Sequence, residues 1–224
     1  MAESAKTLVP KFFDETGTTY DGVVSYGTLG KDKYWKRKML EQISDGSSFL
    51  DLACGTGILT REIAEKFPNS KIVGIDITKS YLDVAKENSS YFENISFILD
   101  DAEEFKLDSK FDCITASYLP KYCDPEILVK NCTTHLKPGG KIILHDFTYP
   151  KNLVVRGLWN LFLTSLRLVG CFIPSWKDAL IGLPKLIRRT KWLESYSDVM
   201  KKNGLSVNRQ YLTCGASAIL TGTK

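Results

Sequence analysis

From Ser48 onward the chain alternates short β-branched runs with helix-period segments, and this alternation restricts its fold more than any other feature. SFLDLAC (48–54), KIVGID (71–76), ISFILDD (95–101), FDCITASYL (111–119) and KIILHDF (141–147) read as strands. Between them TGILTREIAEKF, TKSYLDVAKENSS and PEILVKNCTTHL keep helical spacing, with Thr78 placed to cap the second. KPGG (137–140) reads as the turn into the fifth strand. Repeats of strand, helix and strand build right-handed crossovers and a parallel sheet covered on both faces. After a helix over YSDVMKKNG the rhythm changes, and LSVNRQYL and ASAILTGTK, joined at a Cys-Gly turn, read as a hairpin. The expected fold is α/β: a seven-stranded, mostly parallel sheet with a C-terminal antiparallel hairpin and helices on both faces.

In such sheets ligands sit beyond the carboxyl ends of the strands, where the strand order reverses. The first strand ends in LDLACGTGIL, in which Gly55-Thr56-Gly57 precede a helix. Glycine lets the backbone approach a ligand closely, and the helix points unpaired N–H groups at the same spot. Three acids fall at neighbouring strand ends: Asp51, Asp76 and Asp101. Asp76 lies 19 residues beyond Gly57, about the spacing at which a carboxylate takes a ribose hydroxyl pair. Asp101 is placed to reach an adenine amino group. A dinucleotide would want a third glycine where Thr60 stands, and a pyrophosphate would sit poorly among three acids. A ligand with a positive charge, a ribose and an adenine fits better. S-adenosylmethionine has all three. The bland alternative is a glycine turn beside solvated strand-end acids.

The length of 224 residues suits one large domain. Six cysteines show no C-x-x-C pair and no zinc spacing, so no metal site is expected. The N-terminal stretch lacks the apolar core of a signal peptide, which with these free cysteines points to a reducing cytoplasmic setting. A net charge of +4 is too small to argue for nucleic acid, but its distribution is uneven. Residues 151–202 hold ten basic residues against three acidic ones, and the remainder of the chain is acidic. That basic excess is interleaved with Leu, Trp and Phe rather than with an exposed aromatic platform, which argues against RNA.

These stretches together resemble the class I S-adenosylmethionine-dependent methyltransferases, and more narrowly the C-methyltransferases of ubiquinone and menaquinone biosynthesis, which include demethylmenaquinone methyltransferase. FFDETGTTYDGVVSYGTLGKDKYWKRKML carries that family's F-D…YD…S-x-G…W-K-R segment, the narrowest part of the likeness. DLACGTGILT is similar to its glycine motif, with Ala53 where many methyltransferases have glycine; DAEEF, FDCITASYLPKY and LKPGGKIILHDFTYP match the later strand ends. The resemblance implies a Rossmann-like fold, with S-adenosylmethionine as cofactor and S-adenosylhomocysteine as product. Carried over by position, it implies cofactor contacts at Tyr20, Thr56, Asp76, Asp101, Ala102 and Ser117, to which Asp51, Gly55, Gly57 and Ile77 of the same two strand ends are added. Four segments are expected: N-terminal lid helices (1–47), a cofactor-binding core (48–150), a helical amphipathic insert (151–192), and a last helix with the hairpin (193–224).

Methyl transfer to a phenol-like acceptor needs a base to take the phenolic proton. Lys121, after the fourth strand, and His145 and Asp146, at the end of the fifth, are the candidates. Here the chain departs from the family. Where the quinone methyltransferases usually show Phe-Gly-x-Arg-Asn, it has Tyr118-Leu119-Pro120-Lys121-Tyr122, which keeps a positive charge and loses the guanidinium fork.

The insert LVVRGLWNLFLTSLRLVGCFI (153–173) nearly reaches membrane-spanning length, yet Arg156 and Arg167 lie inside it. Arg156, Asn160, Thr164 and Arg167 form one polar stripe beside a broad apolar remainder. A basic, aromatic, amphipathic insert suits an anionic membrane surface and a substrate with a lipid tail. The expected activity is methylation of a ring carbon of a prenylated quinol or similar lipophilic phenol, by an enzyme that is cytoplasmic and peripheral on the inner face of the membrane. An O- or N-methyltransferase of another small hydrophobic molecule, and a non-catalytic cofactor-binding scaffold in a membrane biosynthetic complex, are the other readings.

Overall fold

The computed structural model describes residues 8–13 and 16–224. The aspartate of the Phe13-Asp14 pair and the first residues of the N-terminal segment lie outside the described residues. The strand that ends in the glycine turn, β1 (Ser48–Leu52), sits inside a seven-stranded sheet of order β3-β2-β1-β4-β5-β7-β6. Its partners are β2 (Lys71–Asp76) and β4 (Phe111–Ser117), both parallel to it. Beyond these lie β3 (Ile95–Leu99), parallel to β2 at one edge of the sheet, and β5 (Leu136–Phe147), parallel to β4. Strand order reverses between β1 and β4, so the ligand-binding crevice opens there. The hairpin of β6 (Ser206–Leu212) and β7 (Ser217–Thr223) closes the sheet, with β7 inserted antiparallel between β5 and β6.

Alternation along the strands divides the core into two layers. Leu50, Leu52, Ile114, Ala116, Ile142 and Leu144 point to one face. There they meet Leu128 and Cys132 of α6 (Pro125–His135) and Leu193 and Tyr196 of α9 (Trp192–Lys202). Phe49, Cys113, Ile143 and Ile219 point to the other. They pack on Trp35 and Met39 of α3 (Lys31–Leu40) and on Leu59 and Ile63 of α4 (Ile58–Lys66). α1 (Leu8–Phe13) and α2 (Tyr20–Gly27) precede α3, and α5 (Lys79–Asn88) links β2 to β3.

Two local readings change in detail. KPGG is counted within β5, yet its turn character survives as a bulge: Leu136 pairs with Phe111 and Lys141 with Cys113, while Gly139 takes φ +75°. Thr78 does occupy the N-cap of α5, but its side chain makes no capping bond; it turns to the Asp76 carboxylate instead.

The 153–173 segment forms α7 (Leu153–Gly170), which packs against α8 (Lys177–Arg189). Asn152 caps α7 by accepting from the N–H groups of Val154 and Val155. α8 contains Pro184, buried in its interior.

Candidate active site

The chain leaves β1 through three left-handed residues, with Ala53 at φ +50°, Gly55 at +58° and Gly57 at +78°. The turn delivers Gly55 to the wall of a cavity that runs across the carboxyl ends of β1, β2 and β4. Gly57 has a different duty. A Cβ there would meet Ala85, Arg61 and Phe97 at 3.3 Å, so its bareness permits packing beneath the turn, and it does not face the cavity. Thr56 also turns away, donating to the Asp21 carboxylate at 2.5 Å and thereby tying α2 to the glycine turn.

The three strand-end acids separate into different roles. Asp76 lines the cavity, and its carboxylate accepts from the Gly55 N–H and the Thr78 N–H, each at 2.8 Å, one on each oxygen. The Thr78 hydroxyl bonds the same carboxylate, which faces the cavity as an acceptor-only group of the kind a ribose hydroxyl pair requires. Burial raises its pKa, and those backbone N–H groups oppose the shift. Asp101 and Ala102 line the cavity one strand further on, beside Ile77. Asp51 does not reach the cavity. It is buried between the layers, accepting from the Thr60 hydroxyl at 2.7 Å and the Thr115 hydroxyl at 2.8 Å. Alternation explains this: Asp51 follows Phe49 onto the α3–α4 face, underneath the turn. Burial lifts its pKa to about 6. Thr60, the residue that excludes a third glycine, is its clamp.

The cavity continues past Ser117 and Tyr20 into an apolar half bounded by Phe13, Val23, Tyr122, Leu166, Trp176 and Leu180. Tyr20 stacks with Trp176 at 6.2 Å between ring centroids and lies 4.9 Å from Tyr81, so it bridges the two halves. Lys121 lines this cavity; its ammonium is buried, 3.0 Å from Asp146 Oδ1 and bonded to the Tyr118 carbonyl. Burial lowers its pKa, opposed by the charge of Asp146.

Asp146 is a support for this loop. It lies outside the cavity lining and accepts the Lys121 and Phe147 N–H groups as well as the ammonium. His145 is fully buried on the α3 side, with Nδ1 against Ser117 Oγ at 2.9 Å and Nε2 against Ser217 Oγ at 2.7 Å. Burial, with Lys36 and Lys121 nearby, holds its pKa well below 6.5, so it is neutral. Both ring nitrogens are occupied, and neither reaches the cavity. His145 orients Ser117. Of the three candidate bases, only Lys121 faces the space where an acceptor would lie.

Tyr118 follows β4 with φ +65°, a strained conformation for a bulky residue and of the kind found at binding sites. Its phenol donates to Asp32 at 2.8 Å, and Asp32 also pairs with Lys36. The Trp35-Lys36 part of the W-K-R motif therefore builds the floor of the loop that carries Lys121. Tyr122 was not among the expected site residues. Its side chain is buried against the cavity and its hydroxyl has no hydrogen-bond partner among the described residues, in contrast to the Tyr81 hydroxyl, which meets Thr16 at 2.7 Å. Burial raises its pKa well above 10, so it remains a donor.

The sequence profile of the family described as "Methyltransferase domain" matches residues 43–166, more than half the chain. The chain belongs to that family. It is an S-adenosylmethionine-dependent methyltransferase. Ubiquinone/menaquinone biosynthesis C-methyltransferase UbiE of Hahella chejuensis is 29% identical over 96% of this chain and 91% of its own length. Demethylmenaquinone methyltransferase of Chlorobaculum tepidum is 28% identical over 90% and 89%. Among solved structures, the pyocyanin biosynthetic protein PhzM superposes with a TM-score of 0.67 at 17% identity, covering 98% of this chain and 63% of its own. Haemonchus contortus phosphoethanolamine N-methyltransferase 2, in complex with S-adenosyl-L-methionine, gives 0.65 at 15%, over 100% and 60%. These structural likenesses establish the Rossmann-like methyltransferase fold. The residues present fit the cofactor: Asp76, Asp101 and Ala102 line one cavity and supply carboxylates for hydroxyl and amino donors, and Gly55 leaves room for close approach.

Proposed function

We propose that this methyltransferase acts on a ring carbon of a prenylated quinol or a similar lipophilic phenol, working in the cytoplasm. The observation that carries the reading is the second half of the cavity: an apolar, aromatic chamber that adjoins the cofactor residues and holds one buried ammonium, Lys121, and one unpartnered phenol, Tyr122. Such a chamber suits an aromatic ring with one or two oxygens and an apolar tail. The relatives named for quinone biosynthesis support the same acceptor class.

The cofactor supplies an electrophilic methyl carbon on a positively charged sulfur. The protein must align a nucleophilic carbon with it in line, exclude water, and stabilise negative charge on the acceptor oxygen. Tyr122 donates a hydrogen bond to that oxygen, and Lys121 places a positive charge beside it, which draws the phenol towards phenolate. With the cofactor bound, the ring carbon would bond to the methyl as the sulfur–methyl bond breaks and its electron pair returns to sulfur, and the ring proton would then be lost as aromaticity returns. The net result is one C–H bond exchanged for one C–CH3 bond, with one proton released.

The deciding experiment incubates the enzyme with methyl-labelled S-adenosylmethionine and a short-chain prenylated hydroquinone, and fragments the product. Label on a ring carbon is the expected result. Label on oxygen would replace the reading with O-methylation, which the same Lys121–Tyr122 pair supports if it turns the oxygen towards the methyl. No labelled product with any phenolic acceptor would overturn the acceptor class.

A further inference from the structure

The polar stripe read from the sequence of α7 does not face solvent with an apolar face turned inward. Trp159, Phe162, Leu163 and Leu166 do pack inward, against the core and the cavity. Arg156, Asn160 and Arg167 are half-buried along one flank. The remaining face is apolar and points outward: Leu153 is 71% exposed, Val154 73%, Leu158 65%, Leu161 70%, Leu168 63% and Phe172 86%. Val154, Leu158, Leu161, Ser165 and Leu168 recur at alternating steps of four and three along the 18-residue helix, and Phe172 continues the row in the turn just beyond it. Isolated exposed leucines need no explanation, but a contiguous apolar ridge marks an interaction surface.

We infer that this ridge is the face by which the enzyme docks on an anionic lipid bilayer, with α7 lying in the headgroup plane. Charge selects the occupant. No acidic residue occurs between Lys151 and Lys177, and Arg156 and Arg167 lie on the half-buried flank of α7, well around the helix from the ridge. Arg188 of α8 joins the same flank, its Nε bonded to Asn160 Oδ1 at 3.1 Å, and exposed Arg189 and Lys191 follow. Guanidinium groups on the same insert as an apolar ridge match phosphates beside acyl chains. A second copy of the chain is disfavoured by the same charges. Two such ridges face to face would bring two net-basic segments together with no carboxylate in either to pair them.

α7 is long and apolar enough to cross a membrane by length and composition, with a mean hydropathy of 1.2. Spanning would strip its inner face from α8 and the core and carry Arg156, Asn160 and Arg167 into hydrocarbon, so it lies on the surface instead. The position also has a consequence for supply. Leu166 of α7 and Leu180 and Leu183 of α8 wall the apolar half of the cavity, so docking brings the acceptor chamber against the bilayer that would hold a lipid-tailed substrate.

The test is flotation of the full-length protein with vesicles of phosphatidylcholine alone or mixed with phosphatidylglycerol, both free of any quinone, so that the result is independent of the acceptor. Wild type is expected to float with the mixed vesicles and to do so less at high salt. A triple variant, L158Q/L161Q/L168Q, is expected to lose about tenfold in vesicle affinity while keeping its affinity for S-adenosylmethionine. F172W adds a probe that disturbs no packing; brominated acyl chains are expected to quench its fluorescence beyond that of wild type. Failure of wild type to float with mixed vesicles, or no added quenching in F172W, would overturn the inference. So would a solution dimer that the triple variant converts to a monomer, because the ridge would then be covered by a second copy.

Discussion

Tyr122 carries the sharpest test at the scale of single residues, because its hydroxyl sits buried without a partner among the described residues. Removing an unsatisfied buried hydroxyl relieves a desolvation cost, whereas removing a donor from a bound acceptor weakens the complex. Tyr122→Phe is therefore expected to hold or raise stability, by up to about 1 kcal/mol, while lowering kcat/KM for the acceptor about tenfold. Thermal melts and steady-state kinetics check the two halves, and a drop in both would mark the residue as merely structural. Asp51 makes the opposite kind of residue, buried and charged but outside the cavity. Its pKa near 6 exceeds the ordinary carboxylate value of 3.8. The folded state thus holds a proton more tightly than the unfolded chain, so stability is highest below about pH 4 for this group. It falls as pH rises towards 6, by a total on the order of 3 kcal/mol. Asp51→Asn removes that term. Urea unfolding between pH 4 and 7 is expected to show wild type losing stability relative to the variant over pH 4–6; parallel profiles would refute it.

Among the elements, the N-terminal helices depend on contacts far away in sequence. α3 is anchored by Trp35, whose Nε1 donates to Thr213 Oγ1 at 2.7 Å, and α2 is held to the glycine turn through Asp21 and Thr56. α1 is held by Phe12, buried against α8, where an added Cβ on Gly182 would stand 2.4 Å from its ring. A glycine-to-alanine change in a helix ordinarily stabilises by about 1 kcal/mol. Gly182→Ala is expected instead to destabilise by about 1–3 kcal/mol and to loosen α1 from the acceptor chamber, because the ring cannot stay where it is. A lowered Tm together with a raised acceptor KM is the expected pair of results; a raised Tm would show that Phe12 is free to move aside.

At the scale of the whole molecule, the cofactor half of the cavity draws on β1, β2, β3 and β4 ends together with α2, so its occupation ties elements across the fold. Saturating S-adenosylmethionine, at about a hundredfold its dissociation constant, is expected to stabilise the protein by about 2.7 kcal/mol. That is several degrees in Tm for a chain of this size. Asp76→Ala is expected to weaken cofactor affinity tenfold or more, about 1.4 kcal/mol, and to shrink the thermal shift at the same concentration. An undiminished shift in calorimetry would remove Asp76 from the ribose site.

The order of strands and helices, the crevice position and the cofactor class were all legible in the sequence, because each follows from periodicity along the chain or from spacing within one strand end. Asp76, Gly55 and Asp101 were readable from that spacing and line the cavity, as do Ala102 and Ser117, which only the family resemblance had pointed to, and Lys121. What a strand residue does with its side chain depends on which face of the sheet it joins and what covers that face. Asp51 and His145 fall on the face covered by α3 and α4, and there they serve the core. Thr56 was committed to Asp21, a partner 35 residues away. Tyr122 could be named only once Phe13, Trp176 and Leu180 had closed around it. The direction of the α7 ridge is the same case. The sequence supplied its apolar stripe and its arginines, but helical periodicity alone does not say which of two apolar faces turns inward; contact with α8 and the sheet decided that.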